Sequence, residues 1–272
     1  LKSHVIGGKA VLPVAMYVEW FAHTALHANP GLQFMGIDDV RIFKGLRLDE
    51  DESTEVTILS GKPMKQNGHH LVDVTLCSGN NAEVLHAKGI VRLGTKYESS
   101  ASEIVTDERG VYSKVMGEVY NSGLLFHGET FQGIEAVDGC SDAGIDVSVH
   151  LATAPAQWVL NPLRKKWLSE PLVMDCAFQA MILWGFEAYE AGSLPVAFKR
   201  FTQFQSSWPK GMVQVRTRIA QHSAHKATAF IEFVHEKSKT LLARIEGYEC
   251  VIDASLNDAF RHSDLTPKPL NS

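Results

Sequence analysis

A chain of 272 residues with 45% hydrophobic and 21% charged residues has the composition of a globular protein large enough for one big core or two smaller ones. Its net charge of −5 argues against a general nucleic-acid binder, which would carry a basic stripe. No apolar run is long enough to span a membrane and residues 1–30 lack a signal-peptide layout; the four scattered cysteines, with no CxxC pair, suggest neither structural zinc nor a disulfide framework, so the expected compartment is the cytoplasm.

The chain begins at Leu1 and not at Met, as expected of a domain cut from a longer polypeptide. Its opening stretch, HVIGGKAVLP (His4 to Pro13), sets a histidine ahead of two glycines and a proline. Pro13 suits the first helical position, where a missing N–H costs nothing. The spacing of Ala15, Val18, Phe21, Ala22, Ala25 and Leu26 predicts a helix over about 13–28, stopped by Asn29-Pro30-Gly31. Four strand-like segments follow: QFMGIDDVRIFKGLRL, TEVTILSGKP, HHLVDVTLCS and EVLHAKGIVRLG. A polar stretch from Lys96 to Glu108 reads as a linker. A second helix is predicted over about 171–191, from Pro171 to just before Gly192, and it is apolar on nearly every side, which predicts burial. Four more strand-like segments come after it: VAFKRFTQFQ, MVQVRTRIAQ, KATAFIEFVHE and TLLARIEGYECVI. Alternation in VQVRTRI and HLVDVTL is that of antiparallel strands covered on one face. From about Ala254 the periodicity fades into TPKPLNS.

One helix followed by a long-stranded antiparallel sheet is thus stated twice. A sheet wrapped around a very apolar helix is a hot-dog unit, and two units can pair their sheets edge to edge. The expected fold is α+β, a double hot dog. Its N-terminal unit covers 1–95, a linker 96–112, its C-terminal unit 113–253 and a tail or exit linker 254–272.

A buried helix disfavours a carboxylate, yet MDCAFQAM places Asp175 there, with Gln179 one turn later on the same face. The bland alternative is a local bond near the helix start, where the macrodipole favours an anion. At the other end of the chain, Gly7 and Gly8 allow close backbone approach to a ligand. The free N–H groups after Pro13, starting at Val14, can bind the partial negative charge of a carbonyl oxygen. A histidine, a carbonyl-binding helix end and a buried carboxylate together suit proton transfer beside a carbonyl.

These residues resemble the dehydratase domains of polyketide and related fatty-acid synthases. His4, Gly8 and Pro13 fit the family's HxxxGxxxxP motif, and Asp175 and Gln179 its DxxxQ/H motif. GLLFHGETFQGI resembles the YGPxF segment through Gly128 and Phe131, and SLPVAF the Leu-Pro segment through Leu194 and Pro195. The flavour of LFHG and EGYECVI is that of iterative synthases, including those making polyunsaturated fatty acids. Three departures stand out: His127 and Glu129 replace the Tyr and Pro of YGPxF, Glu170 stands where a histidine commonly precedes the proline of the Asp motif, and the strand before the His motif is nearly absent.

The resemblance implies removal of water from a β-hydroxyacyl thioester on an acyl carrier protein, giving a trans-α,β-enoyl thioester. His4 would be the base, and Asp175, its pKa raised by the apolar helix, the acid. Gly8, Pro13, Val14 and Gln179 would position substrate, and Phe126, Gly128, Phe131, Leu194 and Pro195 would line a tunnel. No metal or organic cofactor is required, since the substrate rides on the carrier's phosphopantetheine. The implied partners are the carrier protein and neighbouring synthase domains, within a homodimer. A double-bond isomerase, a product-template cyclase, a non-catalytic scaffold domain and a stand-alone thioesterase or acyl-CoA-binding hot dog share the fold. LRKKW (Leu163 to Trp167) is either a carrier-docking loop or a solvated one, and composition favours the latter. The histidines of GHH, His69 and His70, sit at a hairpin turn with no third metal ligand nearby in sequence.

Overall fold

A computed structural model describes residues 1–50, 52–100 and 109–265. Helix α1 (Val14–Ala28) and helix α3 (Pro171–Tyr189) lie close to the predicted limits. Pro13 stands one position earlier than expected, as the N-cap, in extended conformation with its carbonyl accepting the amides of Met16 and Tyr17. Proline serves there because neither a cap nor the first helical residue needs its N–H.

The strands of the first half are β3 (Gln33–Ile42), β5 (Val56–Ser60), β6 (Met64–Gln66), β7 (His69–Ser78) and β8 (Val84–Gly94). Those of the second are β9 (Ile134–Ser141), β10 (Gly144–Val149), β11 (Gly192–Gln203), β12 (Val213–Ser223), β13 (Lys226–His235) and β14 (Leu241–Asp253). They form one antiparallel sheet in the order β5-β7-β8-β3-β11-β14-β13-β12-β10-β9, with β6 pairing β7. The seam between the halves is the β3–β11 ladder, where Phe198 opposes Val40 and Phe201 opposes Ile37. This is the double hot dog: α1 packs on β3, β5, β7 and β8, α3 on β9 to β12, and the two helices pack on each other. Every residue from Pro171 to Gly185 is buried, as an all-round apolar helix requires.

Three features join the two halves. Gly36 has φ +146, and a Cβ there would lie 2.0 Å from the Phe201 carbonyl oxygen, so only glycine permits this approach. Arg92, on β8, donates to Asp38 on β3 and to the Phe201 carbonyl and Thr202 hydroxyl on β11. Glu19, buried on α1, accepts from the amides of Leu168 and Ser169 and from the Ser169 hydroxyl, tying the first helix to the loop that enters the second.

The structure adds elements that the sequence pattern did not signal. The β9–β10 hairpin precedes α3, so the second unit is not simply a helix followed by strands. A short helix α2 (Met116–Asn121) lies ahead of it. The stretch read as a tail from 254 carries helix α4 (Leu256–Arg261), whose Phe260 is fully buried and packs on Phe126. Six residues are too few for a periodicity signal, so one aromatic anchor does the ordering. Of the linker read over 96–112, residues 101–108 lie outside the described residues, while Gly110 bridges Cys140 on β9. The final TPKPLNS also lies outside them.

Candidate active site

The opening segment folds into a small sheet of β1 (Val5–Ile6), β2 (Lys9–Val11) and β4 (Arg47–Leu48). It crosses to the second half through a β-bridge between His4 and His127, reinforced by the Gly128 amide donating to the Ser3 carbonyl. A Cβ on Gly128 would come 3.0 Å from the Ser3 Cα, so glycine allows this crossing to close. Asp175 reaches the same place from the first turn and a half of α3. His4, His127 and Asp175, widely separated in sequence, thereby meet with their ligating atoms within 4.8 Å of one another, all buried.

Hydrogen bonding sets the state of each group. The Nδ1 of His4 lies 2.8 Å from the Val11 carbonyl oxygen, which can only accept, so Nδ1 carries the hydrogen and Nε2 presents a lone pair. That Nε2 stands 3.9 Å from Asp175 Oδ1. Burial, only partly offset by Asp175, lowers the His4 pKa to about 4, leaving it neutral at pH 7. The other carboxylate oxygen, Oδ2, receives the Gln179 amide at 2.9 Å and lies 3.3 Å from His127 Nε2. Gln179 in turn donates to the Phe131 carbonyl and accepts from the Tyr120 hydroxyl, which itself accepts the Ile134 amide.

The Asp175 carboxyl was expected to be raised by its apolar helix. Burial does push it up, but the His127 hydrogen bond, the two imidazoles beside it and the Gln179 amide together hold it below its ordinary value. Asp175 is therefore ionised in the resting site.

The dyad opens onto a cavity of about 250 Å³ that is also lined by Val14, Phe126, Leu194, Pro195 and Val196, with Lys44 and Arg47 on the first-half side. The Val14 amide has no hydrogen-bond partner among the described residues. Pro195 fits at the start of β11, where pairing with β14 has begun but pairing with β3 starts only at Ala197. Between them the register shifts, and Val196 lies at the cavity.

Four predicted site residues fall elsewhere. Gly8, with φ +76, makes the β1–β2 turn, and its amide is taken by the His262 carbonyl, so it docks the turn beside α4 and does not line the cavity. Gly128 acts through the Ser3 crossing and lines no part of it. Pro13 and Phe131 line a neighbouring cavity of about 440 Å³ instead. The Phe131 ring nonetheless packs 5.4 Å from the His4 ring, walling the dyad off on that side. His127 and Tyr120 were not anticipated. His127 stood in a quoted motif but was read as a departure, and Tyr120 sits on a helix too short to be seen.

The family model for the polyketide synthase dehydratase N-terminal domain matches residues 98–252, more than half of the chain. The chain belongs to the polyketide synthase dehydratase family. A polyunsaturated fatty acid synthase polypeptide of Thraustochytrium sp. is 27% identical to it over 231 residues, which cover 83% of this chain and 8% of the relative. The hybrid PKS-NRPS synthetase opdA of Penicillium oxalicum is 26% identical over 211 residues, 72% of this chain and 5% of that protein. The chain thus spans under a tenth of the length of either curated relative. Among solved structures, the dehydratase domain from the CurF module of curacin polyketide synthase superposes with a TM-score of 0.69 at 20% identity, covering 93% of this chain and 88% of that one. This dehydratase-family fold contains no helix long and apolar enough to cross a membrane among the described residues.

Proposed function

We propose that the domain dehydrates a β-hydroxyacyl thioester delivered on the phosphopantetheine arm of an acyl carrier protein, acting beside neighbouring domains of a larger synthase. The observation that carries this reading is the neutral His4, its Nε2 lone pair 3.9 Å from an ionised Asp175 at the start of a buried helix, both lining one cavity. Lys44 and Arg47 at the cavity suit the phosphate of a carrier arm.

The thioester carbonyl accepts the Val14 amide, a contact of the kind that lowers such barriers by about 3 kcal/mol. The Cα–H bond then breaks, its proton passing to His4 Nε2 and its electrons into the enolate. The Asp175 carboxylate accepts the β-hydroxyl's hydrogen bond and stabilises the imidazolium beside it. As the enolate collapses to the alkene, the Cβ–O bond breaks and His4 returns its proton to the departing hydroxyl, releasing water. One base serving both transfers fits a carboxylate held low. Proton removal and delivery then occur on one face, so the elimination is syn.

The test is alkene formation from a synthetic β-hydroxyacyl thioester. His4→Ala and Asp175→Asn should each lower the rate by about 10²–10⁴-fold. Wild-type rates in either variant would sink the mechanism. Shifted double bonds or cyclised product without release of water would assign the fold's isomerase or cyclase chemistry instead.

A further inference from the structure

The site holds one buried ligating group, His127, that touches no reacting atom of the dehydration. We propose that His4, His127 and Asp175 form a binding site for a divalent transition-metal ion, best Zn²⁺, which silences the site by occupying the lone pair of the base.

The geometry is close to what the ion needs. Around tetrahedral zinc, with bonds of about 2.0–2.1 Å to imidazole and carboxylate, neighbouring ligand atoms stand about 3.3 Å apart. His127 Nε2 stands 3.3 Å from one oxygen of Asp175 and His4 Nε2 3.9 Å from the other, and with one ligand atom taken from each residue the three lie within 4.8 Å of one another. A small rotation of side chains draws in the third ligand. Among the described residues no other cluster gathers three histidine, cysteine or carboxylate ligands in this way.

The surroundings also suit a metal. The Nδ1 hydrogen of His4 is bound by the Val11 carbonyl, the outer contact that orients a ligating imidazole and turns Nε2 toward the ion. The Nδ1 of His127 is buried without a partner, so an ion taking Nε2 replaces the hydrogen bond to Asp175 and leaves the ring hydrogen on Nδ1. The cavity leaves the fourth position open to water. Two imidazoles and one carboxylate select zinc, cobalt or nickel over magnesium or calcium, which prefer all-oxygen sites. His127 decides the matter: a tyrosine in its place would present a phenol that buried surroundings keep protonated.

The test needs no turnover and so stands apart from the dehydratase reading. The 272-residue chain is titrated with Co²⁺ at neutral pH, followed by visible d–d absorption, and the signal is then displaced with Zn²⁺. One ion per chain should give the intense bands of a four- or five-coordinate site, with Zn²⁺ removing them. His4→Phe, His127→Phe and Asp175→Asn should each weaken binding at least 100-fold, about the upper end of losses seen on removing mere outer-shell partners. His127→Gln, which keeps a polar amide in the same space, provides a second probe should His127→Phe fail to give a cooperative thermal melt. Absence of saturable bands in the wild type overturns the proposal. So does a signal that survives in His4→Phe and His127→Gln, which would place the ion on exposed histidines such as His225 and His262. Where dehydration is assayed, Zn²⁺ should abolish it and a chelator restore it.

Discussion

His127 Nε2 lies 3.3 Å from Asp175 Oδ2, so the carboxylate that faces His4 with one oxygen is gripped by an imidazole and the Gln179 amide at the other. His127 is a positioning residue in this arrangement, acting through Asp175. Replacing it with Phe should lower kcat by about 10–100-fold with little change in KM. A merely structural role would give that loss too, so the pH profile is the discriminating measurement. Without the His127 hydrogen bond the Asp175 carboxyl rises, and the acidic limb of kcat/KM should move to higher pH. His127→Gln should restore part of both effects. An unshifted limb would remove His127 from this role.

His4 makes a second prediction about pH. Its folded pKa is about 4 against an ordinary 6.5, because burial disfavours the imidazolium. The base is then neutral throughout the range above pH 5, and activity should not fall near pH 6.5. Stability behaves differently. Between pH 6.5 and 4 the unfolded chain binds a proton at this position that the folded chain does not. Stability contributed by the neutral ring is full above 6.5 and declines as pH falls, by up to about 3 kcal/mol at the lower end. Urea unfolding at pH 7.5, 5.5 and 4.5 should show a slope in the wild type that is shallower in His4→Phe.

Glu170 gives the opposite sign. It caps α3 in the left-handed region at φ 50, with Oε2 buried and unpartnered, and burial together with the charge of Glu19 raises its pKa to about 7 from 4.5. Between pH 4.5 and 7 the folded state holds a proton that the unfolded state has lost, so stability falls as pH rises across that window. Glu170→Gln keeps the shape and removes the titration. It should unfold at higher urea than the wild type at pH 8, by about 1–3 kcal/mol, and close to it at pH 4.5. Equal midpoints at pH 8 would show that the carboxylate finds water at no cost.

The sequence told most where one residue type had one physical use. An apolar helix with an acid in it had to be buried and its acid partnered, and Asp175 and Gln179 prove to be joined as their spacing on one face implied. Strands with clear alternation, such as β7 and β12, were legible for the same reason. What escaped depended on partners distant in the chain. The direction of the Asp175 shift turns on His127, brought over by a single β-bridge that no periodicity announces. Gly8 looked like room for a ligand, but its amide is satisfied by His262 near the far end of the chain. The β9–β10 hairpin carries Gly139 and polar residues that masked its alternation.

The seam between the two halves supplies a last prediction, because Asp38 meets two arginines that differ chiefly in burial. Arg92 reaches it at 3.0 Å with a side chain only 5% exposed, while its Nη2 holds both the Phe201 carbonyl and the Thr202 hydroxyl across the seam. Arg200 makes a two-pronged contact to the same carboxylate, at 3.0 Å for each bond, from a side chain 50% exposed. Removing Arg92 as Arg92→Met takes a buried donor from the Phe201 carbonyl and the Thr202 hydroxyl and leaves Asp38 to Arg200 alone, and should cost about 1–3 kcal/mol in urea unfolding. Arg200→Met should cost below about 1 kcal/mol, since water screens and replaces its charge. The double variant Arg92→Met with Arg200→Met should cost more than the sum of the two single losses, because only then does Asp38 lose both of these cations. Equal losses from the two arginine variants would mean that the β3–β11 ladder and Gly36 join the halves without help from Arg92.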